Sequence, residues 1–239
     1  MAVSYKNVSA TVGGRAYVAT SLTINNSVAY SPFNRLGERG IWRANAPVAS
    51  SLSLSAFLTE GNDFTAFITD KLKTTKYDIG GKDAYLTSLS IQGDAQSPVT
   101  LDLQFNGPEA FGVTTTSPST TSATVALGIL TAIGGMPSSA NYTFSYTLTK
   151  NYGQFLTRGG SAQTFYLTGG EEKLTIEGEG TTALTSPCPA QKTLSLSFKK
   201  CGAAGAGEIS VEDGNVTEYS SSVEAGNIVK NTITVVKTF

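Results

Sequence analysis

Residues 83–107 read DAYLTSLSIQGDAQSPVTLDLQFNG, with apolar and polar side chains in alternation on both sides of a Gly-Asp step. Alternation with a period of two is typical of a β-strand that has one buried and one solvated face. A Gly-Asp pair between two such runs is typical of a tight turn. The stretch therefore predicts an antiparallel hairpin, and the same signal recurs along the chain.

The rhythm of this hairpin is found a second time near the start of the chain. Residues 16–33 read AYVATSLTINNSVAYSPF, in which an aromatic residue, a Thr-Ser step and Leu-Thr-Ile precede Asn25-Asn26. We expect a second hairpin of the same design. Residues 214–239, GNVTEYSSSVEAGNIVKNTITVVKTF, predict a third hairpin that ends in a paired strand. The alternative to a true repeat is that Ser/Thr-rich β-proteins produce similar hairpins by chance.

Three further segments alternate in the same way: SSLSLSAFL at 50–58, NYTFSYTLT at 141–149 and KTLSLSF at 192–198. Such half-buried strands are typical of antiparallel sheets. Their solvated faces hold Ser and Thr rather than Lys and Glu, and a protein partner can cover hydroxyl groups at a lower desolvation cost than charges. The predicted fold class is all-β, a β-sandwich or partial barrel of antiparallel hairpins with one short helix, in one domain or in two similar β domains.

The one segment with helical periodicity is TEGNDFTAFITDKL at 59–72. Asn62 or Asp63 is expected to cap this short helix. Its apolar face would hold Phe64, Phe67, Ile68 and Leu72. Residues 125–135, VALGILTAIGG, fit either a helix or a buried strand. Further turns are predicted at Gly13-Gly14, Gly169-Gly170, Asp213-Gly214 and Gly226-Asn227.

The composition shifts in the middle of the chain. Residues 113–140 contain a Ser/Thr/Pro-rich run, the apolar run and a Gly/Ser-rich end. This shift divides the chain into a β-sandwich or tube-wall domain at 1–112 and a second β half or domain at 141–239. The segment between them is either a flexible linker or surface loop, or an arm that orders against a neighbouring subunit.

The chain contains few residues that could support catalysis. The 239-residue chain has no histidine, which excludes Ser-His-Asp and Cys-His arrangements and histidine metal ligands. Cys188 and Cys201 flank a predicted strand that would hold them ~40 Å apart, so we expect reduced thiols rather than a disulfide or a zinc site. Glu177 and Glu179 would share one strand face, where solvated charges are the expected role.

No enzymatic activity and no cofactor are predicted, although a calcium site built from carboxylates and carbonyls stays open. Only 15% of the residues are charged and the net charge is −1, so no overall field attracts nucleic acid or an acidic membrane. No apolar run is long enough to span a bilayer. The first residues lack the apolar core of a signal peptide, and we expect synthesis in the cytoplasm.

The placement of charge is more informative than its total. Residues 33–43, FNRLGERGIWR, form a predicted basic loop that contains Arg35, Arg39, Arg43 and the sole tryptophan, Trp42. An acidic segment far along the chain contains Glu208, Glu212, Asp213, Glu218 and Glu224.

Both segments fit ordinary solvated loops, or a contact with each other inside one subunit. The sharper hypothesis is a head-to-tail contact between identical subunits, because Arg and Trp are enriched at interface hot spots. A contact of the basic loop with nucleic acid is a weaker alternative.

The chain resembles the major tail, or tail tube, proteins of bacteriophages. The resemblance is carried by AYVATSLTINNS, AYLTSLSIQGD and the closing stretch from residue 209. It implies a β-sandwich with a flanking helix, and rings that stack through long loops and terminal arms. In that family the rings are hexamers whose inner sheets form one continuous barrel, or trimers of a duplicated domain.

The resemblance implies that the partners are copies of the chain itself and other virion tail proteins, in a virion assembled in the host cytoplasm. DNA would be passing cargo in the lumen, and no membrane or small-molecule substrate is expected. Lumens in the family are usually acidic, whereas acid here is concentrated only in residues 208–224. The alternatives are a capsid decoration, neck or baseplate protein, and a carbohydrate-binding or adhesin-type β-sandwich.

Overall fold

The structure, a computed structural model, describes residues 2–27, 30–35, 38–44, 49–59, 64–94, 97–112, 119–126, 128–134, 141–156, 163–180, 191–200, 203–223 and 228–239. Within these ranges the chain forms a sheet of thirteen strands, a separate two-stranded hairpin and one short helix. The predicted all-β class is confirmed. Cys188, Cys201, Glu224 and the turn predicted at Gly226-Asn227 lie outside the described residues.

The elements in chain order are β1 (Ala2–Val12), β2 (Arg15–Ser27), β3 (Tyr30–Arg35), β4 (Glu38–Ala44), β5 (Ala49–Phe57), α1 (Thr65–Thr69), β6 (Tyr77–Ile79), β7 (Lys82–Asp94), β8 (Thr100–Gly107), β9 (Ser119–Ala126), β10 (Gly128–Gly134), β11 (Asn141–Leu156), β12 (Gln163–Gly180), β13 (Gln191–Lys200), β14 (Ala203–Val223) and β15 (Val229–Thr238).

The strand order of the large sheet is β10-β13-β14-β15-β12-β11-β7-β8-β5-β2-β1-β9, with β6 paired to β7 beside this path. All of these pairs are antiparallel. β9 ends at Ala126 and β10 begins at Gly128, so these two Cα atoms lie at most about 7 Å apart. β9 and β10 are therefore neighbours in the chain but lie at opposite ends of the strand order. β9 pairs with β1, and β10 pairs with β13.

Two aromatic residues from the helical segment lie in the core. Phe67 lies 6.3 Å from the ring of Tyr17 on β2 and 5.9 Å from that of Phe105 on β8, between ring centroids. Phe64 meets the ring of Phe198 on β13 at 5.8 Å. All five side chains are buried. The helix thus links strands from both halves of the chain into one hydrophobic core.

The hairpin predicted at residues 83–107 is confirmed, because β7 and β8 pair antiparallel with Leu89 opposite Leu103, but the turn predicted at Gly93-Asp94 is wrong, because both residues lie at the end of β7 and pair with β11. The other alternating segments form β5, β11 and β13 as expected. The apolar side chains of these strands are buried as the alternation predicted, among them Leu52, Leu54, Leu101, Phe105, Phe144, Tyr146, Leu148, Leu194, Leu196 and Phe198.

The second hairpin, predicted at residues 16–33, is wrong. β2 runs straight through Asn25 and Asn26 and pairs with β1 and β5 rather than with β3. The Asn26 side chain explains this, because its Nδ2 donates to the Phe111 carbonyl oxygen at 3.3 Å and its Oδ1 accepts from the Phe111 backbone N–H at 3.1 Å. Backbone pairing of Asn25 and Asn26 with Ser51 and Ser50 of β5 continues the ladder, and the Asn26 amide bonds Phe111 instead of forming a turn.

Of the other predicted turns, Gly13-Gly14 is confirmed between β1 and β2, with φ of 58° and 77°. The turns at Gly169-Gly170 and Asp213-Gly214 are wrong, because both pairs lie inside strands. Both sites are irregular: Gly169 has φ of 146° and Asp213 has φ of 51°, and the strand register shifts close to each pair. Residues that tolerate positive φ can form β-bulges as well as turns.

The closing hairpin of β14 and β15 is confirmed, and its last strand is paired on both sides. The short helix is also confirmed, with Phe64 at the N-cap position and no side-chain cap from it, while Asn62 and Asp63, the predicted caps, lie outside the described residues. Leu72 is 63% exposed rather than on the apolar face, because the helix ends at Thr69.

Residues 125–135 were predicted to form either a helix or a buried strand. The described residues among them belong to the strands β9 and β10. The flexible-linker interpretation of residues 113–140 is therefore wrong for 119–126 and 128–134. The strands before residue 113 and those after residue 140 form two adjacent blocks of one sheet, joined where β7 pairs with β11. The two-domain division stays an interpretation of the sequence.

Candidate functional site

The outward positions of five neighbouring strands, β2, β5, β8, β7 and β11, form a surface with almost no charge. Two cross-strand rows of side chains lie in register across it. We call this surface the neutral face, and define it by Ser21, Ser55, Asp102, Ser90 and Thr147 in one row and Thr23, Ser53, Gln104, Ser88 and Thr149 in the other.

Every side chain of the neutral face is exposed or partly exposed, and the five strands span roughly 19 Å. Its single charged group, the carboxylate of Asp102, accepts a hydrogen bond from the Ser55 hydroxyl. Soluble surfaces ordinarily carry about 25–35% charged residues. Charge reappears on the next strand, β12, where Glu171, Lys173 and Glu177 occupy outward positions.

The acidic segment singled out in the sequence is strand β14. Glu208 and Glu212 lie on either side of Ser210 in its outward positions and are exposed. Asp213 is exposed at the positive-φ bulge, and exposed Glu218 accepts a hydrogen bond from the Thr234 hydroxyl at 3.2 Å. The four described acids are therefore all exposed along one strand.

The basic segment is not a loop, as predicted, but the two-stranded hairpin of β3 and β4. Arg35 lies opposite Glu38, Pro32 opposite Trp42, and Ser31 opposite Arg43 in its register, and Arg39 follows Glu38 in β4.

No backbone pairing joins this hairpin to β14 among the described strands. The docking of the arginine hairpin on an acidic strand of another subunit stays a prediction.

Sequence analysis missed a group of charged residues inside the protein, which we call the polar clamp: Lys71, Tyr146, Lys150 and Glu172. The Glu172 carboxylate is fully buried and lies 2.7 and 2.9 Å from Nζ of Lys71. The Tyr146 hydroxyl donates to the same carboxylate at 3.4 Å. Burial and the adjacent carboxylate raise the pKa of that hydroxyl far above its usual range.

Lys150 is the second cation of the polar clamp. Its Nζ donates to the backbone oxygens of Asp70 at 3.0 Å and Lys73 at 2.6 Å, in the turn that follows α1. Burial lowers its pKa to about 8. The polar clamp thus fastens the turn after α1 to β11 and β12, which is a structural role.

The signal for the polar clamp was present in the sequence. Glu172 is in phase with Leu174 and Ile176, and Lys150 is in phase with Tyr146 and Leu148, so both charges occupy core-facing positions. A charge in a core-facing position requires a partner, because burying it alone is costly.

The carboxylate pair considered in the sequence lies on the outward side of β12, where Glu177 is exposed. Glu179 accepts a hydrogen bond from Nδ2 of Asn141 at 3.2 Å and lies 3.8 Å from Nζ of Lys230. Over the described ranges, no three Cys, Asp or Glu side chains group in a way that could hold a metal ion. The same part of the chain has no helix with the length and apolarity needed to cross a bilayer.

A scan against models of known protein families gives no match to this chain, and no curated protein is significantly similar to it. Function is therefore inferred from the fold, its surfaces and the resemblance in the sequence.

Proposed function

We propose that the protein is a structural subunit that assembles with copies of itself, and that it serves as a tail tube subunit of a bacteriophage virion. The observation that carries this proposal is the neutral face. A surface five strands wide with one charged side chain can be covered by protein at a lower desolvation cost than a charged surface.

The cost of desolvation favours a protein contact on the neutral face. Covering a Lys or Glu removes a full charge from water, whereas a hydroxyl or carboxamide needs only a replacement hydrogen bond. Two neutral faces, or a neutral face and another surface of a second copy, can also meet without like-charge repulsion. A subunit present in many identical copies therefore needs no foreign partner to cover this surface.

Complementary charge supports a head-to-tail arrangement. The acids of β14 and the arginines of the β3–β4 hairpin belong to different elements of one chain, so one copy can present acid where the next presents base. Such heterologous contacts generate closed rings or open stacks. In a tube, the exposed acids of β14 would alternatively face the channel, where they would repel the phosphates of passing DNA.

The tail tube role follows from the resemblance in the sequence, and the all-β fold with one short helix is compatible with it. The experiment that tests self-assembly is negative-stain electron microscopy of the purified protein over a series of protein and salt concentrations. Rings or hollow tubes are the expected result.

A variant pair makes this experiment specific for the neutral face. Ser53→Arg introduces a charge on β5, inside the neutral face, and should prevent assembly while leaving the fold intact. Thr11→Arg introduces the same side chain at an exposed position of β1, outside the neutral face, and should assemble like the unaltered protein. Monomers at every concentration, or equal assembly of both variants, would contradict the proposal.

A further inference from the structure

The β11–β12 hairpin extends beyond the strands that flank it. β7 accompanies β11 only as far as the Thr149–Ser88 pair, and β15 accompanies β12 only over residues 171–180. Residues 150–156 and 163–170 therefore form a two-stranded ribbon at one end of the sheet. A cleft of about 550 Å³ opens where β7 and β11 separate, and it shares Ser88, Gln104 and Thr149 with the neutral face.

Apart from the rings of Tyr152 and Phe165, the cleft has a polar lining, whose described part holds one charged group, the amine of Lys150. Carboxamides line it at Gln104, Asn106, Asn151 and Gln154, and hydroxyl groups line it at Ser88 and Thr149. Its lining, among the described residues, includes no carboxylate.

The amine in the cleft is Lys150, which already donates hydrogen bonds to the backbone oxygens of Asp70 and Lys73. The volume is within the range of small-molecule sites, about 300–1,000 Å³.

An aromatic platform adjoins the cleft on the ribbon. Asn151, Gly153 and Phe155 alternate on one side of β11. The ring of Tyr166 lies across Gly153, where it occupies the space of a side chain. Phe155 stacks on Tyr166 with ring centroids 4.5 Å apart, and these side chains are 60% and 39% exposed. Neither ring lines the cleft, but this flat, solvent-exposed pair lies on the same side of the ribbon as the Asn151 carboxamide, starting two residues beyond it at Gly153.

We infer that this cleft and platform bind a neutral oligosaccharide. Carboxamides both donate and accept hydrogen bonds, as sugar hydroxyls do. Flat aromatic rings cover the apolar C–H face of a pyranose ring. The lack of a free charge in the cleft favours an uncharged ligand over a phosphate, a carboxylate or a cation, and the open groove suits a chain of sugar units.

The inference is tested by isothermal titration calorimetry with the full chain. The probes are tetrasaccharides of glucose, of N-acetylglucosamine and of mannose. At least one of them should bind. Asn151→Ala removes a carboxamide of the cleft and Phe155→Ala removes the outer ring of the platform, and each should weaken binding at least tenfold. Ser145→Ala, on the same face of β11 but outside the cleft, is the matched control and should bind like the unaltered protein.

Thermal unfolding monitored by circular dichroism shows whether each variant is folded. The absence of binding by all three sugars to the folded protein would overturn the inference, and so would equal affinity of the three variants. If Phe155→Ala instead abolished ring or tube formation while no sugar bound, the platform would be a subunit contact and not a glycan site. Failure to bind sugars leaves the self-assembly proposal untouched, because electron microscopy tests that proposal separately.

Discussion

Nζ of Lys71 lies 2.7 Å from the Glu172 carboxylate, and this pair joins the turn after α1 to the interior face of β12. Glu172 is fully buried, whereas the Lys71 side chain is 24% exposed. A buried carboxylate that loses its cation keeps its desolvation penalty, so the pair is far more sensitive to the loss of one partner than a surface ion pair is.

Replacement of Glu172 by alanine should therefore destabilise the protein strongly. We expect the free energy of unfolding to fall by about 3 kcal/mol, because the variant leaves a cavity, a largely buried ammonium group and a Tyr146 hydroxyl without its acceptor. Urea unfolding followed by circular dichroism measures this change. The control is Glu179→Ala on the same strand, whose partly exposed ion pair should contribute no more than about 0.5 kcal/mol. Equal losses in the two variants would refute a structural role for the polar clamp.

Lys150 predicts an unusual dependence of stability on pH. Burial lowers its pKa from 10.5 to about 8 in the folded protein. Below pH 8 the amine is charged in both the folded and unfolded states, and the burial penalty is present in full. Between pH 8 and 10 the folded state loses the proton first while the unfolded chain retains it, so the free energy of unfolding rises with pH.

The expected gain from pH 8 to pH 10 is roughly 2 kcal/mol relative to Lys150→Met, which has no group to titrate. Urea unfolding of both proteins at a series of pH values measures it. The buried tyrosines have raised pKa values only in the folded protein and titrate near pH 10 in the unfolded chain, but both proteins contain them, so the comparison with Lys150→Met cancels their contribution. Parallel pH profiles of the two proteins would show that the folded-state pKa of Lys150 is not lowered.

Gly170 is expected to be intolerant of a side chain. A Cβ atom at this position would collide with the carbonyl oxygen of Thr149 and the ring of Phe239. Gly170 also exchanges two backbone hydrogen bonds with Phe239, at 2.9 and 3.0 Å. Gly170→Ala should therefore lower stability by about 1–3 kcal/mol. At Gly112 a Cβ atom would have only the Gly80 oxygen nearby, at 3.6 Å, so thermal unfolding of Gly112→Ala should be near that of the unaltered protein.

The head-to-tail hypothesis predicts the outcome of a charge exchange. Reversal of Arg35, Arg39 and Arg43 to glutamate should block assembly, because the hairpin would then repel the acids of β14. The folded monomer should persist, as shown by size-exclusion chromatography and circular dichroism. A second variant adds the reversal of Glu208, Glu212 and Glu218 to lysine in the same chain. It should restore rings or tubes, because the two charged surfaces are then complementary again with opposite signs. Normal assembly after the arginine reversal alone would eliminate this contact.

The local features of the fold were predictable because the alternation of apolar and polar residues records burial directly. Leu52 and Leu54, or Leu101 and Leu103, needed no distant information to be placed in the core. Asn26 shows where such reasoning fails. Its turn signal is genuine, but Phe111, 85 positions away, supplies a backbone partner that only the tertiary structure reveals.

The candidate surfaces were predictable in part. The hydroxyl-rich strand faces and the acidic segment are visible in the sequence, and the structure adds the register that aligns ten side chains into the neutral face. The cleft beside Asn151 had no local signal, because it arises where β7 and β11 diverge.

The one-residue connection between β9 and β10 also constrains the order of events during folding. β9 pairs with the first strand, where Ala126 lies opposite Ala2, whereas β10 pairs with β13, which ends at Lys200. During synthesis, β9 and β10 emerge after β1 but before β13. At that stage β9 has its partner strand and β10 does not. Pairings between residues so distant in sequence form slowly. A nascent chain that stops before residue 191 therefore retains an unpaired strand edge that can be captured by a neighbouring chain.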